Sequence, residues 1–214
     1  MATAAFGADL TPVEHRWLQG AWPVVAFAKE AGLPVDIVVQ PQPSPGAAPL
    51  ALGYVAGRCK LVLSMRGNPE AQATLDRIEP ELLDATLELM AAHELGHCRR
   101  YVDGAWREVP AGFKRGTVPA QLDPKLHAAY LDMTAVRLEE AYADLVGLAW
   151  TQQRHPQRYA SLQRWLVAER SKDLIPGEHH DTLAWLQLAE RGVGAASGSI
   201  FERAAVVWEV GLDR

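Results

Sequence analysis

A chain of 214 residues can bury a proper core, and its length lies between one large domain and two small ones; one domain, residues 1–214, is expected. At 49% hydrophobic and 22% charged residues, its composition is that of an average globular protein, which excludes disorder and a fibrous repeat. A net charge of −5, with Arg99-Arg100 as the strongest basic run, argues against nucleic-acid binding, which usually leaves a basic patch.

The amino-terminal stretch MATAAFGADLTPVEHRW has no basic region followed by an apolar one, so no secretory signal is expected. Thr11-Pro12-Val13-Glu14 announces the first helix: Thr11 can cap it, Pro12 suits its first turn and Glu14 completes a capping box. That helix is expected to reach about residue 31 and stop at Gly32. Its most apolar part, residues 21–28, is interrupted by Pro23 and closed by Lys29 and Glu30, far short of the roughly 20 apolar residues of a membrane span.

Residues 34–40 carry Val35, Ile37, Val38 and Val39 and favour a short strand, and QPQPSPGAAP, with four prolines, is a loop. A second β region, 50–65, is expected to break at Gly53 and Gly57 into a hairpin whose second strand is 59–65. The two cysteines, Cys59 and Cys98, are too few for a disulfide framework and form no CxxC pair. They are expected as buried structural thiols in a reducing compartment, and the protein as soluble and cytoplasmic.

After Arg66-Gly67-Asn68-Pro69 the chain turns helical. Pro80 opens a helix to about residue 103, with Leu82, Leu83, Leu87, Leu89, Met90 and Leu95 spaced for packing over much of its circumference. Residues 103–123 hold Gly104, Pro110, Gly112, Gly116 and Pro119 and read as a long loop, a candidate lid. Asp123-Pro124 starts a long helix to about 153, Pro156 starts another, and further helices are expected at about 176–190 and 199–210 within the carboxy-terminal helical region 156–211. The fold class expected is α+β, mainly helical, with a small antiparallel sheet in the segment 11–65. The tryptophans are read as core residues except Trp106, which lies in the long loop and either anchors it or faces a ligand.

Within MAAHELGHCRR, residues 90–100, His93 and His97 are four apart. On a helix they project side by side from one face, where their imidazoles can share one tetrahedral metal. Glu94, about 100° further round, can reach a water at that metal but not readily join the ligands. Metal-assisted hydrolysis needs this arrangement: Zn²⁺ lowers the pKa of its water towards ~7 and a nearby carboxylate collects the proton. Chance supplies an HExxH in about one or two of a hundred such chains, so a third ligand decides the matter. Glu140 and Asp144 are again four apart on the long helix. Glu140 can complete a His₂Glu site, and Asp144 is placed to accept the free N–H of a ligand histidine.

HELGH followed by an ExxxD helix resembles the gluzincin metallopeptidases, of which thermolysin is the best-known type. Locally, Arg137-x-x-Glu140-x-x-Ala143-Asp144-x-x-Gly147 resembles the RxxExxADxxG segment of the HtpX and CAAX-prenyl endopeptidase family. The motifs cover residues 85–150. The resemblance implies a zincin-like domain with His93, His97 and Glu140 as zinc ligands, Glu94 as general base and Asp144 behind a ligand histidine. Family members also carry a later histidine, commonly in an HP segment, that contacts substrate or oxyanion. Glu178-His179-His180-Asp181 lies at roughly that place without the proline, so His180 is the candidate, against an exposed segment in which Asp181 caps a helix. AHELGH also resembles the ImmA/IrrE regulatory peptidases, whose third-ligand helix has ExxAN; Asp144 favours the first family.

Glu139 is an alternative ligand, set aside because ExxxD spacing selects Glu140. Tyr142 points away from Glu140 and suits packing, His127 and Tyr130 stand at the start of the same helix, and His15 and His155 read as surface residues. The strand 59–65 precedes the histidine helix as the substrate-binding edge strand does in zinc peptidases, unless it is an interior strand without a free edge. The expected function is a zinc endopeptidase acting on a peptide or protein substrate, with no nucleic-acid partner and no membrane span. The alternatives are a zincin-scaffold regulatory or sensing protein with little turnover, and a metal-free helical interaction protein.

Overall fold

The computed structural model describes residues 9–113, 117–194 and 197–212; the first part of the amino-terminal stretch and Gly116 of the long loop lie outside the described residues. Helix α1 (Pro12–Glu30) starts with the predicted box: Thr11 Oγ1 accepts the Glu14 N–H at 3.2 Å, and Glu14 Oε2 accepts the Thr11 N–H at 2.6 Å. The helix ends at Glu30, and Gly32, at φ 72°, turns the chain into the first strand.

Strands β1 (Val35–Pro41), β2 (Leu50–Val55) and β3 (Arg58–Arg66) form one sheet in the order β1-β3-β2. Ala56 and Gly57, both at positive φ, close the β2–β3 hairpin as a two-residue turn, while Gly53 lies inside β2. The sheet is mixed rather than wholly antiparallel: β2 runs against β3, but β1 runs parallel to it, Val35 beside Cys59 and Val39 beside Leu63. Cys59, Leu61, Leu63, Ser64 and Met65 are all buried, whereas β1 and β2 are mostly half-buried, so β3 takes the interior place. Residues 59–65 therefore have no free edge, which decides for the interior strand of the two alternatives.

The other helices are α2 (Pro69–Asp76), α3 (Leu83–Val102), α4 (His127–Arg154), α5 (Tyr159–Ser171), α6 (Leu183–Leu188) and α7 (Ile200–Leu212); α2 and α3 meet the sheet and α5, α6 and α7 pack on α4, a mainly helical α+β fold. The helix expected over 176–190 is confined to α6. Gly177, at φ 81°, donates its N–H to Asp181 Oδ2 at 2.7 Å, and the turn so closed keeps the preceding residues out of the helix. Asp181 is thus no helix cap. Among the tryptophans, Trp17, Trp150, Trp185 and Trp208 are buried, but Trp22 is 56% exposed. Among the described residues no helix is long and apolar enough to cross a membrane.

Helix α3 packs against α1, β2 and α4. It meets α4 at two glycines. A Cβ on Gly96 would stand 2.9 Å from the Ala143 Cα, and one on Gly147 would stand 3.0 Å from the Leu89 carbonyl oxygen. Backbone is the obstacle in both cases, so the two helices can approach this closely only without those side chains. An alanine in a free helix would gain about 1 kcal/mol over glycine. Here Gly96→Ala is expected to lose about 1–3 kcal/mol through overpacking, read as a lower denaturant midpoint at unchanged slope; a raised midpoint would contradict the tight crossing.

Cys59 and Cys98 are joined in a disulfide that ties β3 to α3, which corrects the expectation of free thiols. Their separation of 39 residues carried no pairing signal, and only the packing of α3 on the sheet brings their Cα atoms to 5.6 Å. The inference of a reducing compartment loses its ground accordingly.

Candidate functional site

At the α3–α4 crossing, one turn of α3 presents His93 and His97 and the facing turn of α4 presents Glu140. The two Nε2 atoms are 3.1 Å apart. Glu140 reaches them with one oxygen each, Oε2 at 3.4 Å from His93 and Oε1 at 3.3 Å from His97. A tetrahedral ion about 2.0–2.1 Å from each donor would hold those donors about 3.3 Å apart. The three side chains thus fit a divalent ion at their centre, and all are largely shielded from water.

Asp144 stands one turn after Glu140 and is fully buried. Being acceptor-only when ionised, it fixes the His93 tautomer: Nδ1–H donates to its Oδ1 at 2.8 Å, leaving the Nε2 lone pair turned to the cluster. Thr182 Oγ1 donates to Asp144 Oδ2 at 2.6 Å. Arg170 of α5 donates to both oxygens, Nη2 at 2.7 Å and Nε at 2.9 Å, and its Nη2 also lies 3.3 Å from Glu140 Oε2. His97 Nδ1, in contrast, is buried without a hydrogen-bond partner among the described residues.

Burial works against the charge on Asp144, but the Arg170 guanidinium and the His93 hydrogen bond outweigh it and hold the carboxyl well below the usual range. Glu140 is low for a similar reason, burial being overridden by the two imidazoles. Burial also disfavours a charged His93, yet its bonds to Asp144 and Glu140 lift it to about 10. Proton and metal therefore compete for the same lone pair. Glu94 moves the other way: burial pushes its carboxyl up, against the pull of His93 and His97.

A cleft of about 590 Å³ opens over the cluster between β2, α3, α4 and α5. Glu94 lines it and makes no hydrogen bond among the described residues, so its carboxylate is open to the cleft. His180 stands at the rim with Nε2 3.8 Å from Glu140 Oε2 and its side chain 49% exposed; burial and the Arg170 charge hold its pKa below the ordinary value. Trp106 closes one side. Its ring lies edge-on to His97 at 5.5 Å and stacks at 4.0 Å on Tyr101, which in turn stacks at 4.9 Å on Tyr54 of β2.

Glu139 points elsewhere. It accepts from Arg100 Nη2 at 2.8 Å and from the Arg107 N–H at 2.7 Å, and this buried pair anchors the start of the long loop beneath Trp106. Tyr142 packs away from the cleft and donates weakly to the Phe201 carbonyl at 3.4 Å, and His127 lies 3.1 Å from the Leu122 carbonyl outside the cleft. His155 sits beside Glu88, and neither it nor Tyr130 lines the cleft.

Sequence reasoning missed Arg170 and Thr182. Arg170 did leave a trace, because it continues the buried stripe Tyr159, Leu162, Gln163 and Leu166 of α5, where a charge calls for a buried partner. Thr182 left none. Comparison with protein-family models, curated proteins and solved structures gives no match for this chain.

Proposed function

We propose that this chain is a zinc-dependent metallopeptidase, a gluzincin by its motifs and most like the HtpX and CAAX-prenyl endopeptidase family among them. The observation that supports this most is the spacing of the His93, His97 and Glu140 donor atoms, 3.1–3.4 Å apart, beside an open Glu94 in a cleft. Two imidazoles and a carboxylate suit zinc. When bound, such an ion acidifies water and polarises a carbonyl.

The chain's own groups supply the remaining steps. Glu94 takes the proton of the attacking water and hands it to the departing amine; burial raises its pKa and so makes it a readier acceptor in the first transfer. His180, at the rim, donates to the oxygen that gains charge. Asp144 and Arg170 keep His93 and Glu140 in place. An extended peptide has a natural seat on β2. Ser64 N–H bonds to the Pro49 carbonyl, which sets the alternation and leaves N–H and C=O of Leu50, Leu52 and Tyr54 facing the unpaired edge. Leu50 and Leu52 also line the cleft. The Cys59–Cys98 disulfide favours work in an oxidising compartment.

Elemental analysis of purified protein tests the first half of this reading. One zinc per chain is expected, lost on dialysis from Glu140→Ala while the far-ultraviolet spectrum is kept. Metal-free wild-type protein that takes up no zinc would leave the helical interaction protein as the better account.

A further inference from the structure

The turn between α5 and α6 gathers a second set of metal-ligating side chains. Ligand atoms of Glu178, His179 and His180 all lie within 4.8 Å of one another. Glu178 Oε2 is 3.0 Å from His179 Nδ1, its Oε1 accepts the His180 N–H at 3.0 Å, and the two imidazoles are 4.2 Å apart between ring centres. Two imidazoles and a carboxylate make an N₂O donor set of the kind zinc, nickel and copper prefer. The turn is held from outside as well: Arg137 Nε donates to the Asp181 carbonyl at 2.7 Å, and Thr182 is fixed on Asp144. A backbone already ordered lowers the entropy lost when the three side chains converge.

We propose that Glu178, His179 and His180 hold a second divalent transition-metal ion at the rim of the cleft, and that filling this site withdraws His180 from the substrate, so that excess zinc inhibits. The inhibition rests on the peptidase reading; the binding does not. The second site is the weaker one. Side chains of Glu178, His179 and His180 retain 20%, 50% and 49% exposure, against 12%, 8% and 15% for His93, His97 and Glu140, so water competes for its donors. Low zinc fills the inner site and supports turnover; higher zinc fills the outer one and stops it.

Zinc titration calorimetry on the full chain tests this, with wild type, His179→Ala and Glu178→Gln. Wild type is expected to show two classes of site, and each variant to keep the tight class while the weak class loses about tenfold or more in affinity. With peptide substrate, wild type is expected to be inhibited beyond one equivalent of zinc, while His179→Ala matches it at one equivalent and escapes inhibition. A single class of site in wild type, or a weak class unchanged in both variants, overturns the second site. Unchanged inhibition in His179→Ala overturns its regulatory part. A weak class lost in both variants, in a protein that cleaves no peptide, supports the second site and removes the peptidase reading instead.

Discussion

Glu94→Gln is expected to keep one zinc per chain and to lower peptide hydrolysis by about a hundred- to ten-thousand-fold, the range that a positioned general base supplies. The amide keeps the size of the side chain and loses only the proton acceptor. Folding is not expected to suffer, because burial already disfavours the Glu94 charge and the carboxylate makes no hydrogen bond among the described residues. Zinc content and kcat measured on the same preparation separate loss of chemistry from loss of metal. Full activity in a zinc-loaded Glu94→Gln protein would dismiss Glu94 as the base, and loss of zinc would make it a ligand instead.

The largest effect on stability is expected at Arg170. Its guanidinium faces two carboxylates largely shielded from water, at 2.7 Å from Asp144 and 3.3 Å from Glu140, where the His93 imidazole also lies. Arg170→Met preserves much of the side-chain volume but leaves the His93 imidazole to offset both charges, and breaking a buried pair in this way costs about 3–5 kcal/mol. Bound zinc brings positive charge to the same carboxylates, so the loss is expected to be greatest in chelator and smaller in the zinc-loaded protein. By linkage, zinc should then stabilise the variant more than the wild type. Denaturant midpoints of both proteins, with zinc and with chelator, measure this. An equal loss under both conditions would reduce Arg170 to a packing role.

Much of the candidate site could be read locally. A four-residue step on a helix puts two side chains on one face whatever the rest of the chain does, which is why His93 with His97, and Glu140 with Asp144, were recognisable as pairs. The choice of Glu140 over Glu139 came from spacing alone, and the fold gives Glu139 a different task, pairing with Arg100 under the long loop. His180 was placed by resemblance and lies 3.8 Å from Glu140. Arg170 was not singled out, because an arginine on an apolar helical stripe signals that a partner exists but not which one.

The fold divides along the same line. The capping box at Thr11, the turn at Gly57, the helix after Pro124 and the mainly helical α+β class follow from short-range geometry and hydrophobic period, and the sequence by itself determined them. The parallel pairing of β1 with β3, the interior position of β3, the Cys59–Cys98 bond and the shortened α6 depend on segments far apart meeting in space, so only the tertiary structure decided them. The candidate metal centre needs both. Helix periodicity sets each half of it, but the distance between the halves is set where Gly96 lies against Ala143 and Gly147 against Leu89, because only there do two helix backbones come close enough for imidazole and carboxylate to face one ion.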